Sequence, residues 1–210
     1  MKFLLPVLTF LVACSAPRAP VTTQPHPPAR AEDYPWALHD VQEFPQNFMW
    51  EQRLTAQTAQ SHGSVRVVVQ KMANDLTVVG LTPFATKAFV LTQKGQTVDF
   101  QMLVDREMPF PPRFILIDFQ RTWLSFGDPQ AHPRTGVELL DVGEEKLKQT
   151  WQAGRLVERR FTRKSGVPAG EIVIAYADWQ GDGIARQVRI DNWWFGYRLD
   201  VETLSQRNLP

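Results

Sequence analysis

The residues of this 210-residue chain whose chemistry could reach beyond packing are few: four histidines, one cysteine and a group of aspartates. His26, His39, His62 and His132 fall in a proline-rich stretch, a linker and turn-like segments. No two of them stand at the spacing of a metal site, and no second cysteine is there to join one. Asp178, Asp182 and Asp191 surround one hairpin signal, Gly181-Asp182-Gly183. Paired carboxylates there would do acid–base work, but aspartates beside a reversal more often shape the turn through their own side chains. Neither a Gly-x-Ser-x-Gly elbow, a phosphate loop nor a dinucleotide fingerprint is present. The sequence therefore predicts no catalytic residue, no metal and no cofactor. The basic run Arg155, Arg159, Arg160, Arg163 and Lys164 reads as the wet face of a hairpin, with contact to lipid headgroups as the alternative.

Cys14 is the residue with the strongest chemical reading. Lys2 precedes an apolar run from Phe3 to Ala13, and Leu11-Val12-Ala13-Cys14 closes it. The run is about half of the roughly 20 residues a membrane span needs. It reads as a lipoprotein signal cleaved after residue 13, with Cys14 carrying a diacylglyceryl group and an N-acyl chain. Two acyl chains already anchor stably, so three hold firmly. Ser15 stands where inner-membrane retention uses Asp, which favours the periplasmic face of the outer membrane. Residues 14–33 hold Pro17, Pro20, Pro25, Pro27 and Pro28 and read as an extended tether. Residues 34–210 form the single folded domain. With 23 basic against 22 acidic side chains the charge is balanced, which argues against nucleic acid as partner.

The elements that position these residues are strands. Val65, Val67 and Val69 alternate with polar neighbours, as do Val98, Phe100 and Met102, then Ile172, Ile174 and Tyr176, then Phe195, Tyr197, Leu199 and Val201. Strict alternation predicts half-buried antiparallel strands. Turn signals at His62-Gly63, Ala73-Asn74-Asp75, Lys94-Gly95 and Ala153-Gly154 separate them. Met49–Ala59 fits a strand ahead of the first reversal. One segment breaks the period. After Pro109-Phe110-Pro111-Pro112, the residues Ile115, Leu116, Phe119 and Trp123 recur at helical spacing, with Asp118, Gln120 and Arg121 to the other side. The expected architecture is mainly β: a strongly curved antiparallel sheet, a half-open barrel, with one helix across its concave face and an apolar cavity beneath that helix.

The most distinctive stretch is Leu76 to Leu91, two strands around Gly80-Leu81-Thr82-Pro83-Phe84-Ala85. Pro83 stiffens the turn and places Phe84 at its tip, where an exposed ring suits a membrane interface. This loop resembles the Leu-Thr-Asn-Pro-Leu-Gly loop of LolB, the outer-membrane lipoprotein that receives lipoproteins from the periplasmic carrier LolA. The chain is more similar to a family of uncharacterised outer-membrane lipoproteins often encoded near aryl-polyene biosynthesis genes. That resemblance rests on Val79-Gly80-Leu81-Thr82-Pro83-Phe84 and on Asn192-Trp193-Trp194-Phe195-Gly196-Tyr197-Arg198-Leu199-Asp200.

The resemblance implies a LolB-like half-open barrel and a membrane hook at Phe84, flanked by Pro83 and Leu81. It also implies a cavity for acyl chains, with Phe100, Met102, Leu116, Phe119, Trp123, Trp193 and Phe195 as candidate lining. The cargo would be lipoprotein acyl chains, a lipid or an aryl-polyene lipid, received from a LolA-like carrier and released beside Phe84 by a monomer. Two departures stand out: Pro35 and Pro45 confine any N-terminal helix, and the lid shrinks to one helix after Pro112. The alternative is a scaffold lipoprotein that binds a protein partner of an envelope assembly.

Overall fold

The structure is a computed structural model that describes residues 36–210, apart from 107, 109, 129–131, 133, 167, 180, 182 and 183. Cys14, His26, the signal, the tether and Asp182 lie outside the described residues. Eleven strands form one antiparallel sheet in the order β5-β4-β3-β2-β1-β11-β10-β9-β8-β7-β6. The chain runs outward from the centre through β1 (Phe48–Thr58), β2 (His62–Met72), β3 (Asp75–Leu81), β4 (Lys87–Lys94) and β5 (Thr97–Met102). It crosses through α1 (Arg113–Trp123) to the far edge and returns through β6 (Gly136–Val142), β7 (Glu145–Gln152), β8 (Arg155–Arg163), β9 (Glu171–Trp179), β10 (Ala185–Asn192) and β11 (Tyr197–Asn208). β11 closes the circuit against β1 with Trp50 opposite Gln206 and Leu54 opposite Val201. Edges β5 and β6 do not pair, so the sheet stays open.

The alternation predicted from sequence is the physical basis of this sheet. Val67 and Val69, Ile172 and Ile174, and Val201 are buried while their neighbours along the strand are half-buried or exposed. Two details differ. The first reversal falls at 59–61, so His62-Gly63 opens β2 rather than forming the turn. Phe195 belongs to the β10–β11 turn, where its ring sits 4.9 Å from Phe114 of the helix.

The helix begins at the prolines as expected, since the first turn has no use for their missing N–H groups. Pro112 is the N-cap, with φ −55° and ψ −30°. It ends where Leu124 turns extended, its N–H still donating to Gln120 O at 2.8 Å. Its surroundings correct the expectation of a polar outer side. Asp118, Gln120 and Arg121 are buried along with Phe114, Leu116, Ile117 and Phe119. A helix buried all round needs partners on every side, and its polar groups have them. Asp118 accepts a short hydrogen bond from the Tyr197 hydroxyl of β11. Gln120 donates to Gln93 Oε1 of β4 at 2.9 Å, and Arg121 pairs with Glu145 of β7. One helix that meets β4, β7 and β11 requires a sheet curled around it.

The remaining side of α1 is covered by the N-terminal strap, residues 36–44. Trp36, Leu38, Val41 and Phe44 point inward and are buried. A single 3₁₀ turn, Val41–Glu43, is the whole of the helix between Pro35 and Pro45, capped by Asp40 and Glu43 in a reciprocal box. Buried glutamines hold the strap by its backbone: His39 O accepts from Gln93 Nε2 at 2.8 Å and from Gln120 Nε2 at 3.1 Å. Arg113 Nη2 donates to Trp36 O at 2.9 Å. An extended segment presents unpaired peptide groups, and these side-chain amides satisfy them where a neighbouring strand would.

Candidate functional site

With strap and helix in place, the space directly beneath α1 is filled, and the expected cavity lies elsewhere. Leu116 and Ile117 are fully buried, and Phe119 packs between Phe44 and Trp50 with ring centres 5.7 Å from each. The opening is displaced to the C-terminal end of the helix, an open cavity of about 380 Å³. The helix end contributes Thr122 to Ser125, and the strap contributes Phe44 and Pro45. Sheet residues Trp50, Trp151, Leu156, Arg159, Tyr176 and Trp179 complete most of the wall. Trp123 meets Trp50 edge-on at 5.1 Å and Tyr176 at 6.4 Å. Rigid aromatic walls with few polar groups are the usual lining of a small-molecule pocket, and the volume lies at the low end of the roughly 300–1,000 Å³ such pockets span.

The floor of this cavity is a polar cluster. Arg159 is buried, and its Nη1 donates to Arg121 O at 2.7 Å and Thr122 O at 3.0 Å. These carbonyls belong to the last helical turn, the negative end of the helix dipole, which a cation stabilises. The Tyr176 hydroxyl adds a bond to Thr122 O at 2.8 Å. Burial dominates both ionisations: it lowers the Arg159 pKa and pushes Tyr176 up to about 12. Beside them Glu145, at the start of β7, is buried between Arg121 and Arg163, and desolvation raises its pKa against the pull of both guanidiniums.

The basic run therefore divides. β8 turns Arg159 and Arg163 inward with Phe161, while Arg155 and Arg160 keep more contact with solvent, Arg160 pairing with Glu171 and Glu158. A bulge opposite Thr150/Trp151 shifts the register, so Leu156 and Arg159 face inward although three residues apart. A hairpin's wet face was the wrong setting for Arg159; its signal was the shared parity with Phe161.

The Phe84 loop forms a second feature. Thr82 O accepts from Ala85 N at 2.9 Å, Thr82 N donates to Thr86 O at 2.8 Å, and the two threonine hydroxyls meet at 2.7 Å. Ala85 takes φ 59°, which closes the turn. The loop is thus cross-braced, and it holds Phe84 with 89% of its surface exposed. Pro83 is exposed and Leu81, at the end of β3, is half-buried. Gly80 supports the loop from below: the Phe89 ring lies across it, and a Cβ there would stand 2.1 Å from that ring.

Of the seven residues expected to line a cavity, Trp123 does so. Phe119 belongs to the adjoining aromatic cluster, and Leu116 is core. Phe100 packs on Phe89 at 6.1 Å, Met102 is half-buried at the end of β5, Phe195 covers the helix start, and Trp193 is 41% exposed. Trp50, Trp151 and Tyr176 share inward parity on strands far apart in sequence, and Trp179, out of parity with Tyr176 on the same strand, joins the wall just past the left-handed Asp178. Phe84 and the cavity are at opposite ends of the strands. The row Phe48, Lys71, Leu76 and Gln93 marks the cavity end of β1–β4. The loop follows Leu81, about 17 Å further along β3 at roughly 3.4 Å per residue.

His39 pairs with Glu43 at 2.9 Å, His132 with Glu138 at 2.9 Å while stacked on Trp151, and His62 is exposed. Asp178 is exposed in a left-handed conformation, φ 53°, and Asp191 bonds Arg198 at 2.6 Å. Among the described residues no group of three potential metal ligands is found, and no helix is long and apolar enough to cross a membrane.

Fold and site together define an open antiparallel half-barrel with a helix enclosed in its concavity and an aromatic cavity at one end. The chain belongs to DUF3261, a family of proteins of unknown function, whose model matches residues 49–205. No curated protein matches it significantly. Among solved structures it is similar to a LolA superfamily protein from Nitrosomonas europaea, at 12% identity over 80% of this chain and 89% of that one, TM-score 0.45. It is similar also to an outer membrane lipoprotein-sorting protein domain from Vibrio parahaemolyticus, at 9% identity, 80% and 92% coverage and TM-score 0.45. A DUF1329 family protein from Desulfovibrio piger follows at 10% identity, 80% and 88% coverage and TM-score 0.40.

Proposed function

We propose that this protein is an envelope lipoprotein, anchored through Cys14 to the periplasmic face of the outer membrane, that binds and passes on a hydrophobic cargo without catalysis. The observation that carries this reading is the aromatic cavity of about 380 Å³ at the end of α1. A sheet curled around a helix could have been packed solid; this one keeps an opening walled by rings. The volume suits one acyl chain or flat ring system. Phe84 holds the opposite end of the strands to the bilayer, so it orients the molecule, and cargo passes through the mouth beside Trp123 rather than beside the hook. A LolA-like carrier is the partner this arrangement suits. Burying one Phe side chain is worth roughly 1.5–3 kcal/mol, so Phe84→Glu should weaken vesicle binding about ten- to a hundredfold at 1.4 kcal/mol per decade. Unchanged vesicle binding, with thermal stability intact, would remove the hook.

The test of the cavity is native mass spectrometry on the chain secreted through an ordinary leader with Cys14→Ser. A bound mass matching a lipid, fatty acid or polyene supports the reading, and an empty protein that takes up no added lipid overturns it. The scaffold reading has one observation of its own: Val137 and Leu139 on edge strand β6 are 53% and 75% exposed, a surface on which a protein partner could settle.

A further inference from the structure

We propose that the cavity selects cargo with a single carboxylate, a fatty-acid-like anion whose head is received at Arg159 and whose chain lies among Trp50, Trp123 and Trp179. The inference rests on the reading of this cavity as a ligand site and adds the chemical class of the ligand.

Among the described residues, the wall of the cavity contains one side chain charged at neutral pH, Arg159, and no Asp or Glu. The fold treats its two central arginines differently. Arg121 is fully buried and meets a carboxylate directly, both oxygens of Glu145 accepting from Nη2 at 2.6 and 2.9 Å. Arg159 meets neutral acceptors: the two helix carbonyls, the Tyr176 hydroxyl oxygen, and Gln149 Oε1, which accepts from Nε at 2.9 Å. The Glu138 carboxylate acts on it electrostatically without touching it, and that carboxylate is bound by Gln149 Nε2 and by His132. Helix carbonyls supply about half an elementary charge, so a positive excess remains at the cavity floor in surroundings of low dielectric.

The indole N–H groups of Trp151 and Trp179 are buried and meet no acceptor among the described residues. A site with one cation, apolar walls and no carboxylate among the described residues suits an anionic head on an apolar body. It repels cationic heads and gives a neutral ester no charge to meet.

The experiment compares a dibrominated stearate, its methyl ester and an equally brominated trimethylammonium of the same chain length by quenching of tryptophan fluorescence in the Cys14→Ser chain. The carboxylate is expected to bind at least tenfold more tightly than the ester, and the cation least. Arg159→Gln should abolish that preference while ester binding persists. The wild-type comparison stands alone if that variant fails to fold. Equal affinity for acid and ester would overturn this inference and leave Arg159 as a helix cap, with the hydrophobic-carrier reading untouched. Quenching by none of the three probes would overturn both.

Discussion

The ion pair between α1 and β7 gives the sharpest test of how this interior is held together. Arg121 and Glu145 are 0% and 1% exposed, and Arg163 Nη1 stands 3.6 Å from the same carboxylate. Removing Glu145 takes from two buried guanidiniums the carboxylate they share, and a guanidinium cannot shed its charge at any workable pH. Glu145→Gln should therefore cost about 3–5 kcal/mol, the range for breaking a buried pair. Arg121→Met is gentler in kind. The carboxylate keeps Arg163, and it can take up a proton, as its raised pKa already favours. Neutralising a carboxyl of ordinary pKa at pH 7 costs at most about 3.4 kcal/mol, 1.36 for each of roughly 2.5 pH units. Losing the cation from the Trp36 ring, 4.4 Å away, adds about 1 kcal/mol.

The two variants separate on pH. In Arg121→Met the folded carboxyl titrates further above its unfolded value, so the fold binds the proton more readily. Stability is then greatest below the unfolded pKa and falls as pH rises through the folded one. The deficit of Arg121→Met should shrink by about 1 kcal/mol or more between pH 7 and pH 5, whereas that of Glu145→Gln should not. Urea unfolding at both pH values, with unchanged m-values, reads both quantities. A Glu145→Gln cost below about 1 kcal/mol, or an Arg121→Met deficit that grows on acidification, would refute the reasoning.

Other expectations follow from single contacts. Gly80→Ala drives a methyl group into the Phe89 ring and should cost about 1–3 kcal/mol; Phe89→Leu in the same chain should recover part of it, by urea midpoint. Tyr176, with its pKa raised to about 12, should make stability fall between pH 10 and 12 by roughly 2–3 kcal/mol, because the unfolded phenol ionises first. Tyr176→Phe should lose about 1 kcal/mol at pH 7 with the bond to Thr122, yet show a flatter alkaline limb. An equally steep limb would place the titrating group elsewhere.

Much of the fold was legible because its forces are local. Strand positions, the proline-led helix and the reversals each follow from a few adjacent residues, since side-chain parity and turn chemistry are short-range properties. The candidate site was far less so. Trp123 was found through helical spacing, but Trp50, Trp151, Tyr176 and Trp179 come from three strands, β1, β7 and β9, whose convergence depends on how far the sheet curls. Asp118, Gln120 and Arg121 look like a solvent face until β7, β11 and the strap supply a partner for each.

By itself the sequence determined the period of the strands around Val67, Phe100, Ile174 and Leu199, the helical break in that period, and the stiff loop that carries Phe84; these are written in contiguous residues. Tertiary structure alone decided what each inward polar side chain would meet, and where the concavity would be filled and where left open. The reason is physical. A buried charge is tolerated only through partners distant in sequence, and an open volume is what remains after helix, strap and sheet have all been packed.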